Sequence, residues 1–173
     1  MDLLEIESTV RDIVDFPKEG IVFKDITPVL ACPKTFKATV QKMCAPYKGT
    51  KIDKIVALDA RGFIFGSAMA YELNAGITPV RKAGKLPFTT ESYSYDLEYG
   101  SATLEIHTDA ITAGEYVVIV DDLLATGGTA EAAIELVEKQ GANIVSVDFF
   151  MELSFLDGRK KLKGHPIKSL ITI

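Results

Sequence analysis

The chain has 173 residues, 47% hydrophobic and 25% charged, with 19 Lys and Arg against 24 Asp and Glu for a net charge of −5. That length suits one domain with a full core, and the composition is that of an ordinary globular protein. The acidic balance argues against a general nucleic-acid surface, no apolar run approaches a membrane span, and the acidic start Met1-Asp2-Leu3-Leu4-Glu5 lacks the basic region of a signal peptide.

Leu3, Leu4, Ile6, Val10, Ile13 and Val14 fall at helical spacing and predict a first helix over 3–14. Asp15-Phe16-Pro17-Lys18-Glu19-Gly20 ends it. Ile21 to Phe23 reads as a short extended segment leading to a turn at Thr27-Pro28, and Pro33 suits the first turn of a second helix reaching about Tyr47. Cys32 and Cys44 lack CxxC spacing and an accompanying His cluster. They read as reduced thiols of a cytosolic protein rather than as metal ligands.

Ile52 to Leu58 reads as a buried strand, Asp59-Ala60-Arg61-Gly62 as its loop and Phe63 to Leu73 as a helix. The Arg61 guanidinium and the loop N–H groups suit a phosphate or diphosphate, although Arg-Gly after a strand is by itself more often a surface ion pair. Ile77 to Arg81 is the next strand. Arg81, Lys82 and Lys85 then place three cations within five residues, as either a solvated basic loop or an anion clamp. The stretch from Lys82 to Asp96 is polar and aromatic without core periodicity, and a loop of that length is functional or disordered. Strand signals resume at about Tyr93 to Tyr99 and Ala102 to His107, a hairpin turning at Gly100-Ser101. On its own, Glu98-Tyr99-Gly100 is a strand end with a glycine turn. His107 and His165 read as surface residues, and no Ser-His-Asp order supports nucleophilic hydrolysis.

The densest signal is Val117-Val118-Ile119-Val120-Asp121-Asp122-Leu123-Leu124-Ala125-Thr126-Gly127-Gly128-Thr129. A β-branched run ends in two carboxylates, a loop of small residues follows, and a helix runs on to about Gln140. Free N–H groups at a helix start, with Gly127 and Gly128 allowing close approach and Thr126 and Thr129 adding hydroxyls, suit one phosphate monoester on Ala125 to Thr129. The pattern lacks the Lys of a Walker A loop and is not G-x-G-x-x-G. Asp121 and Asp122 would repel that phosphate, so they suit sugar hydroxyls or the neighbourhood of a Mg²⁺ ion; the plainer alternative is a carboxylate pair capping a turn. Ile144 to Met151, a short helix over Phe155 to Leu162 and a strand from Ile167 to Ile171 complete the chain. The alternation predicts an α/β fold with a mostly parallel sheet and helices on both faces.

The segment from Asp121 to Thr129 resembles the phosphoribosyl diphosphate (PRPP) signature of the type I phosphoribosyltransferases, and its Leu-Leu-Ala form is similar to that of the adenine-using branch. Asp59-Ala60-Arg61-Gly62, Val80-Arg81-Lys82-Ala83-Gly84-Lys85-Leu86-Pro87 and Leu97-Glu98-Tyr99-Gly100 resemble three further motifs in family order, so the likeness spans roughly Phe16 to Leu162. It implies a Rossmann-like core over about 33–151, with a small hood from about 1–32 and C-terminal pieces, and a flexible catalytic loop. It also implies the reaction of adenine with PRPP to give AMP and diphosphate in purine salvage.

The resemblance places Asp121 and Asp122 on the ribose hydroxyls and Ala125, Thr126, Gly127, Gly128 and Thr129 on the 5′-phosphate. Asp59, Ala60 and Arg61 fall on the diphosphate, with a cis peptide between Asp59 and Ala60. Arg81, Lys82 and Lys85 also fall on the diphosphate, some of them across a dimer interface. Glu98 falls beside the base and, with Arg61, at the reacting groups; Tyr99 falls beside the diphosphate. In the hood Phe23 would stack on adenine, Val22 and Lys24 would meet its edge, and Leu153 would cover its other face; many relatives carry Arg where this chain has Lys24. Mg²⁺ would be held through PRPP and water with no direct protein ligand, in a cytoplasmic homodimer with neither nucleic-acid nor membrane partner. The alternatives are a related transferase using xanthine, hypoxanthine or orotate, and a PRPP-binding regulator, which would more often bring a DNA-binding domain or a basic face.

Overall fold

The computed structural model describes residues 1–96, 100–162 and 164–173. Seven strands form the main sheet: β3 (Lys54–Leu58), β4 (Gly76–Lys82), β5 (Thr90–Asp96), β6 (Ser101–His107), β7 (Tyr116–Leu124), β8 (Asn143–Glu152) and β9 (Ile167–Thr172). Their order is β5-β6-β4-β3-β7-β8-β9, parallel from β4 to β9, with β6 antiparallel to both β4 and β5. The central strands are continuous apolar runs because both faces are covered. On one face Val117 and Ile119 pack with Leu136 and Val137 of α5 (Gly128–Lys139). On the other, Val118 and Val120 pack with Met43 of α3 (Pro33–Cys44) and with Phe65 of α4 (Gly62–Leu73). Phe65 stacks on Phe150 with ring centroids 5.1 Å apart.

The fold matches the expected mostly parallel sheet flanked by helices. Because β3 has β4 on one side and β7 on the other, the chain reverses direction across the sheet between β3 and β7. The crevice beyond those two strand ends is where open α/β sheets bind ligands. One glycine sets how α4 lies above β3: a Cβ on Gly66 would stand 2.6 Å from Ala57 Cβ. Gly66→Ala is therefore expected to destabilise the fold by about 1–3 kcal/mol through overpacking, read as a lower denaturation midpoint at unchanged m; an unchanged midpoint would mean that α4 can lift off β3 freely.

The N-terminal segment departs from the expected long helix. α1 (Leu3–Glu7) stops early, and β1 (Arg11–Val14) pairs antiparallel with β2 (Val22–Asp25). Cross-strand ion pairs, Arg11 to Asp25 at 2.7 Å and Lys24 to Asp12 at 2.7 Å, favour this pairing over continued helix. Ile13 and Val14 are β-branched and suit it too. The Thr27-Pro28 turn is in fact α2 (Thr27–Ala31), with Pro28 in the first turn where its missing N–H is harmless. The segment over 155–162 is two 3₁₀ turns, Ser154–Leu156 and Gly158–Lys161, rather than one helix, because Asp157 between them is left-handed at φ 55°. Among the described residues no helix is long and apolar enough to cross a membrane.

Candidate functional site

Two strand-to-helix loops meet at the reversal point. The first, Asp59 to Arg61, joins β3 to α4, and its Asp59–Ala60 peptide is cis. The second, Ala125 to Gly127, joins β7 to α5. Between them lies a cavity of about 510 Å³ lined by Asp59, Ala60, Arg61 and Lys82 from one side and by Asp121, Asp122 and Thr129 from the other. A smaller cavity of about 70 Å³ adjoins it under Ala125, Thr126, Gly127, Gly128 and Thr129, and Asp121 borders both. The structure thus brings all five residues of the sequence-predicted phosphate loop, its carboxylates and Arg61 around one crevice.

The acidic pair lies inside β7 rather than beyond its end. Val118 and Val120 face one core and Ile119 the other, yet Leu123 rejoins the first core and Leu124 the second. The in–out alternation therefore slips by one residue across Asp121-Asp122, which frees two consecutive carboxylates from the core pattern. Their environments then differ. Asp122 is 7% exposed and forms an ion pair with Arg61, whose Nε lies 2.7 Å from Oδ2. Burial, followed by the neighbouring Asp122 charge, pushes the Asp121 carboxyl well above its ordinary range. Gly62 adjoins this pair: a Cβ there would come within 2.9 Å of Asp121 Oδ1 and of the Val120 carbonyl.

The phosphate loop owes its shape to Gly127, which is left-handed at φ 87° and opens α5, its carbonyl accepting from the Glu131 N–H at 2.9 Å. That first turn, whose N–H groups have no intrahelical partner, lines the small cavity. Sequence reasoning missed what braces the loop from behind. A Cβ on Gly127 would stand 2.5 Å from the Gly158 carbonyl oxygen, and one on Gly158 would collide with the Ala125 carbonyl. The Asp157-Gly158 dipeptide signals a turn, but nothing local says where that turn docks. Arg159, next in sequence, is fixed by Glu152 at 2.9 and 2.5 Å and by the Ile167 carbonyl at 3.0 Å. Arg159 outweighs burial and holds the Glu152 carboxyl below its usual range.

The predicted anion clamp is folded inward. Arg81 Nε and Lys85 Nζ lie 3.3 and 3.1 Å from Asp59 Oδ2, while Lys82 lines the larger cavity. Burial disfavours the Asp59 charge, but Lys85 and Arg81 outweigh it and hold the carboxyl below its ordinary range. A carboxyl depressed in the folded state contributes stability above its unfolded value, and that contribution is lost as pH falls through the folded value. Asp59→Asn is thus expected to lower the melting temperature at neutral pH, with the gap to wild type closing in acid below the usual carboxylate range. A gap that stays constant through the acid limb would assign the effect to packing instead.

On the hood side, the Arg61 guanidinium stands over the Phe23 ring at 5.8 Å from its centroid, and Phe16 meets the same ring edge-on at 5.2 Å. Phe23 therefore reaches the crevice through Arg61. Val22 is exposed and β2 has no strand partner on its second edge among the described residues, which leaves backbone groups there for a ligand. The Lys24 ammonium is turned away to Asp12. Leu153 follows β8, its N–H donating to the Leu124 carbonyl at 2.9 Å. Glu98 and Tyr99 lie outside the described residues.

Comparison with known proteins agrees with this geometry. Residues 30–163 match the family model for the phosphoribosyl transferase domain. The adenine phosphoribosyltransferase of Thermoanaerobacter sp. (strain X514) is 56% identical over 171 residues, covering 99% of each chain. The crystal structure of adenine phosphoribosyltransferase from Thermoanaerobacter pseudethanolicus superposes with a TM-score of 0.95 at 55% identity, covering 99% of this chain and 100% of that one. The Saccharomyces cerevisiae enzyme, complexed with D-2,5-dideoxy-2,5-imino-altritol 1,6-bisphosphate and adenine, superposes at 0.92 with 44% identity over 97% of both chains.

Proposed function

Since the chain belongs to the phosphoribosyltransferase family, we propose that it is an adenine phosphoribosyltransferase, a pentosyltransferase of purine salvage that converts adenine and PRPP to AMP and diphosphate. The observation that carries this reading is the shared crevice, in which one wall offers a phosphate-sized recess and a carboxylate pair and the other offers Arg61 and Lys82, with Arg81 and Lys85 held close by on Asp59. A sugar phosphate alone would use the first wall; the second requires another anionic group on the same ligand.

Each wall then has a task. Ala125 to Thr129 hold the 5′-phosphate through N–H and hydroxyl groups, and Asp122, with Asp121, accepts from the ribose hydroxyls. Asp59 releases Arg81 and Lys85 to the diphosphate, which Arg61, Lys82 and the Ala60 backbone also meet, with Tyr99 assigned there by resemblance. Phe23 stacks on adenine, Val22 and Lys24 meet its edge through the backbone, and Leu153 covers the opposite face. In the reaction N9 bonds to C1′ as the C1′–oxygen bond breaks, diphosphate leaves with the electron pair, and the N9 proton is lost. Cations fixed on the leaving group and reactants held in line supply the rate by electrostatics and proximity, without a protein nucleophile. Glu98, assigned by resemblance, adds a carboxylate beside the oxocarbenium-like centre.

The residues fit Mg²⁺ held mainly by its substrate. Asp121 and Asp122 border the crevice, and Mg²⁺ needs at most one or two carboxylates when substrate phosphates and water complete its shell. Bound there, it would offset diphosphate charge. We further assign the enzyme to the cytoplasm, in keeping with free Cys32 and Cys44. We assign it as a homodimer, in keeping with apolar Ile64, Tyr71 and Ile77 exposed on α4 and β4.

The test is turnover with PRPP and Mg²⁺ across a base panel. Adenine should be used far faster than hypoxanthine, xanthine or orotate; preference for any of those would overturn the base assignment while keeping the family.

A further inference from the structure

Tyr95 belongs to none of the four sequence motifs, yet it touches the phosphate loop twice. It extends from β5, opposite Ala102 of β6, and packs against the core on the α5 face. Its ring lies over Gly128, where an added Cβ would meet Cδ2 at 3.1 Å and Cε2 at 3.4 Å. Its hydroxyl is 3.1 Å from Thr129 Oγ1. Gly128 and Thr129 are the first two residues of α5, and both border the small cavity. A side chain from the antiparallel hairpin thus backs the helix turn that lines the proposed phosphate seat.

The hydroxyl chemistry gives this contact a direction. Thr129 has one hydroxyl proton and two acceptor lone pairs. When Thr129 Oγ1 donates to a phosphate oxygen, only its acceptor side remains for Tyr95, so the phenol must donate. The result is a chain, Tyr95 O–H to Thr129 Oγ1 and Thr129 O–H to phosphate, in which each bond polarises the next. With the phosphate absent, either hydroxyl can be the donor and no direction is imposed.

We infer that Tyr95 is a positioning residue for the 5′-phosphate, orienting the Thr129 hydroxyl as a donor and fixing the first turn of α5 beneath the anion. The inference rests on the assignment of Ala125 to Thr129 as the phosphate seat. It gives the β5–β6 hairpin, whose Tyr95 also lines the larger cavity, a part in holding substrate.

The test is calorimetric binding of AMP and of adenosine, which lacks the phosphate, to the full-length protein and to Tyr95→Phe, Thr129→Val and the double variant. Tyr95→Phe keeps the ring over Gly128 and should leave the melting temperature unchanged. It should weaken AMP about threefold to tenfold, the worth of one hydrogen bond, leave adenosine unchanged, and add nothing in the Thr129→Val background. Wild-type affinity for AMP in Tyr95→Phe, equal weakening of AMP and adenosine, or independent effects of the two substitutions would each overturn the role of Tyr95. Wild-type protein that binds AMP no more tightly than adenosine would instead bring down the phosphate seat itself, and this inference with it.

Discussion

Gly127→Ala is expected to lower kcat/KM for PRPP by roughly a hundredfold or more, the scale of a displacement of about 1 Å in a binding frame. Two effects combine. A non-glycine residue at φ 87° carries roughly 1 kcal/mol of backbone strain. The larger effect is steric, because the new methyl would stand 2.5 Å from the Gly158 carbonyl oxygen, and Gly158 cannot retreat while its own Cα faces the Ala125 carbonyl. The loop and the Asp157-Gly158 turn shape each other, so relief must come from the loop, whose N–H groups then miss the phosphate. Gly49→Ala is the control: it has φ 77° with open space around it and should leave turnover unchanged. Unaltered PRPP kinetics in Gly127→Ala would remove the loop from the mechanism.

Asp122→Asn should reduce kcat/KM for PRPP by roughly ten- to a hundredfold, the range of a lost charge-assisted hydrogen bond, with less effect on adenine affinity. The substitution keeps the shape of a buried side chain, removes the acceptor assigned to a ribose hydroxyl, and frees Arg61 from its 2.7 Å ion pair. Asp121→Asn should be the milder change, because burial and the Asp122 charge already favour the protonated form of Asp121. Steady-state kinetics with each substrate varied in turn separates the two. Equal losses for both variants, or an unchanged PRPP KM and kcat in Asp122→Asn, would contradict the ribose assignment.

How far the sequence reaches is clear from individual elements. The strands from Ile52 to Leu58 and from Val117 onward were legible because a buried parallel strand is a continuous β-branched run with a small-residue loop after it. The loops that build the crevice were legible for the same reason, since strand, loop and helix are contiguous. The early end of α1 at Glu7 was not, because Val10, Ile13 and Val14 satisfy a helical period, and only pairing with a strand beginning at Val22 decides otherwise. The stretch after Lys82 read as a loop until strand signals at about Tyr93, although strand begins at Thr90, because Thr90, Glu91 and Ser92 carry no apolar side chain. Gly158 and Tyr95 were invisible as site residues because their importance lies in what they touch across the fold. The inward folding of Arg81 and Lys85 onto Asp59 likewise depends on two loops separated in sequence.

The central claim is that one crevice joins adenine to a phosphoribosyl group. The most direct measurement follows adenine, AMP and diphosphate together after mixing the protein with adenine, PRPP and Mg²⁺. AMP and diphosphate should appear in equal amounts as adenine disappears, with neither formed when adenine or PRPP is left out. Diphosphate released without AMP would mean that water, not adenine, attacks C1′. PRPP bound with every substrate unconsumed would mean a sensor rather than an enzyme, and either result would contradict the account.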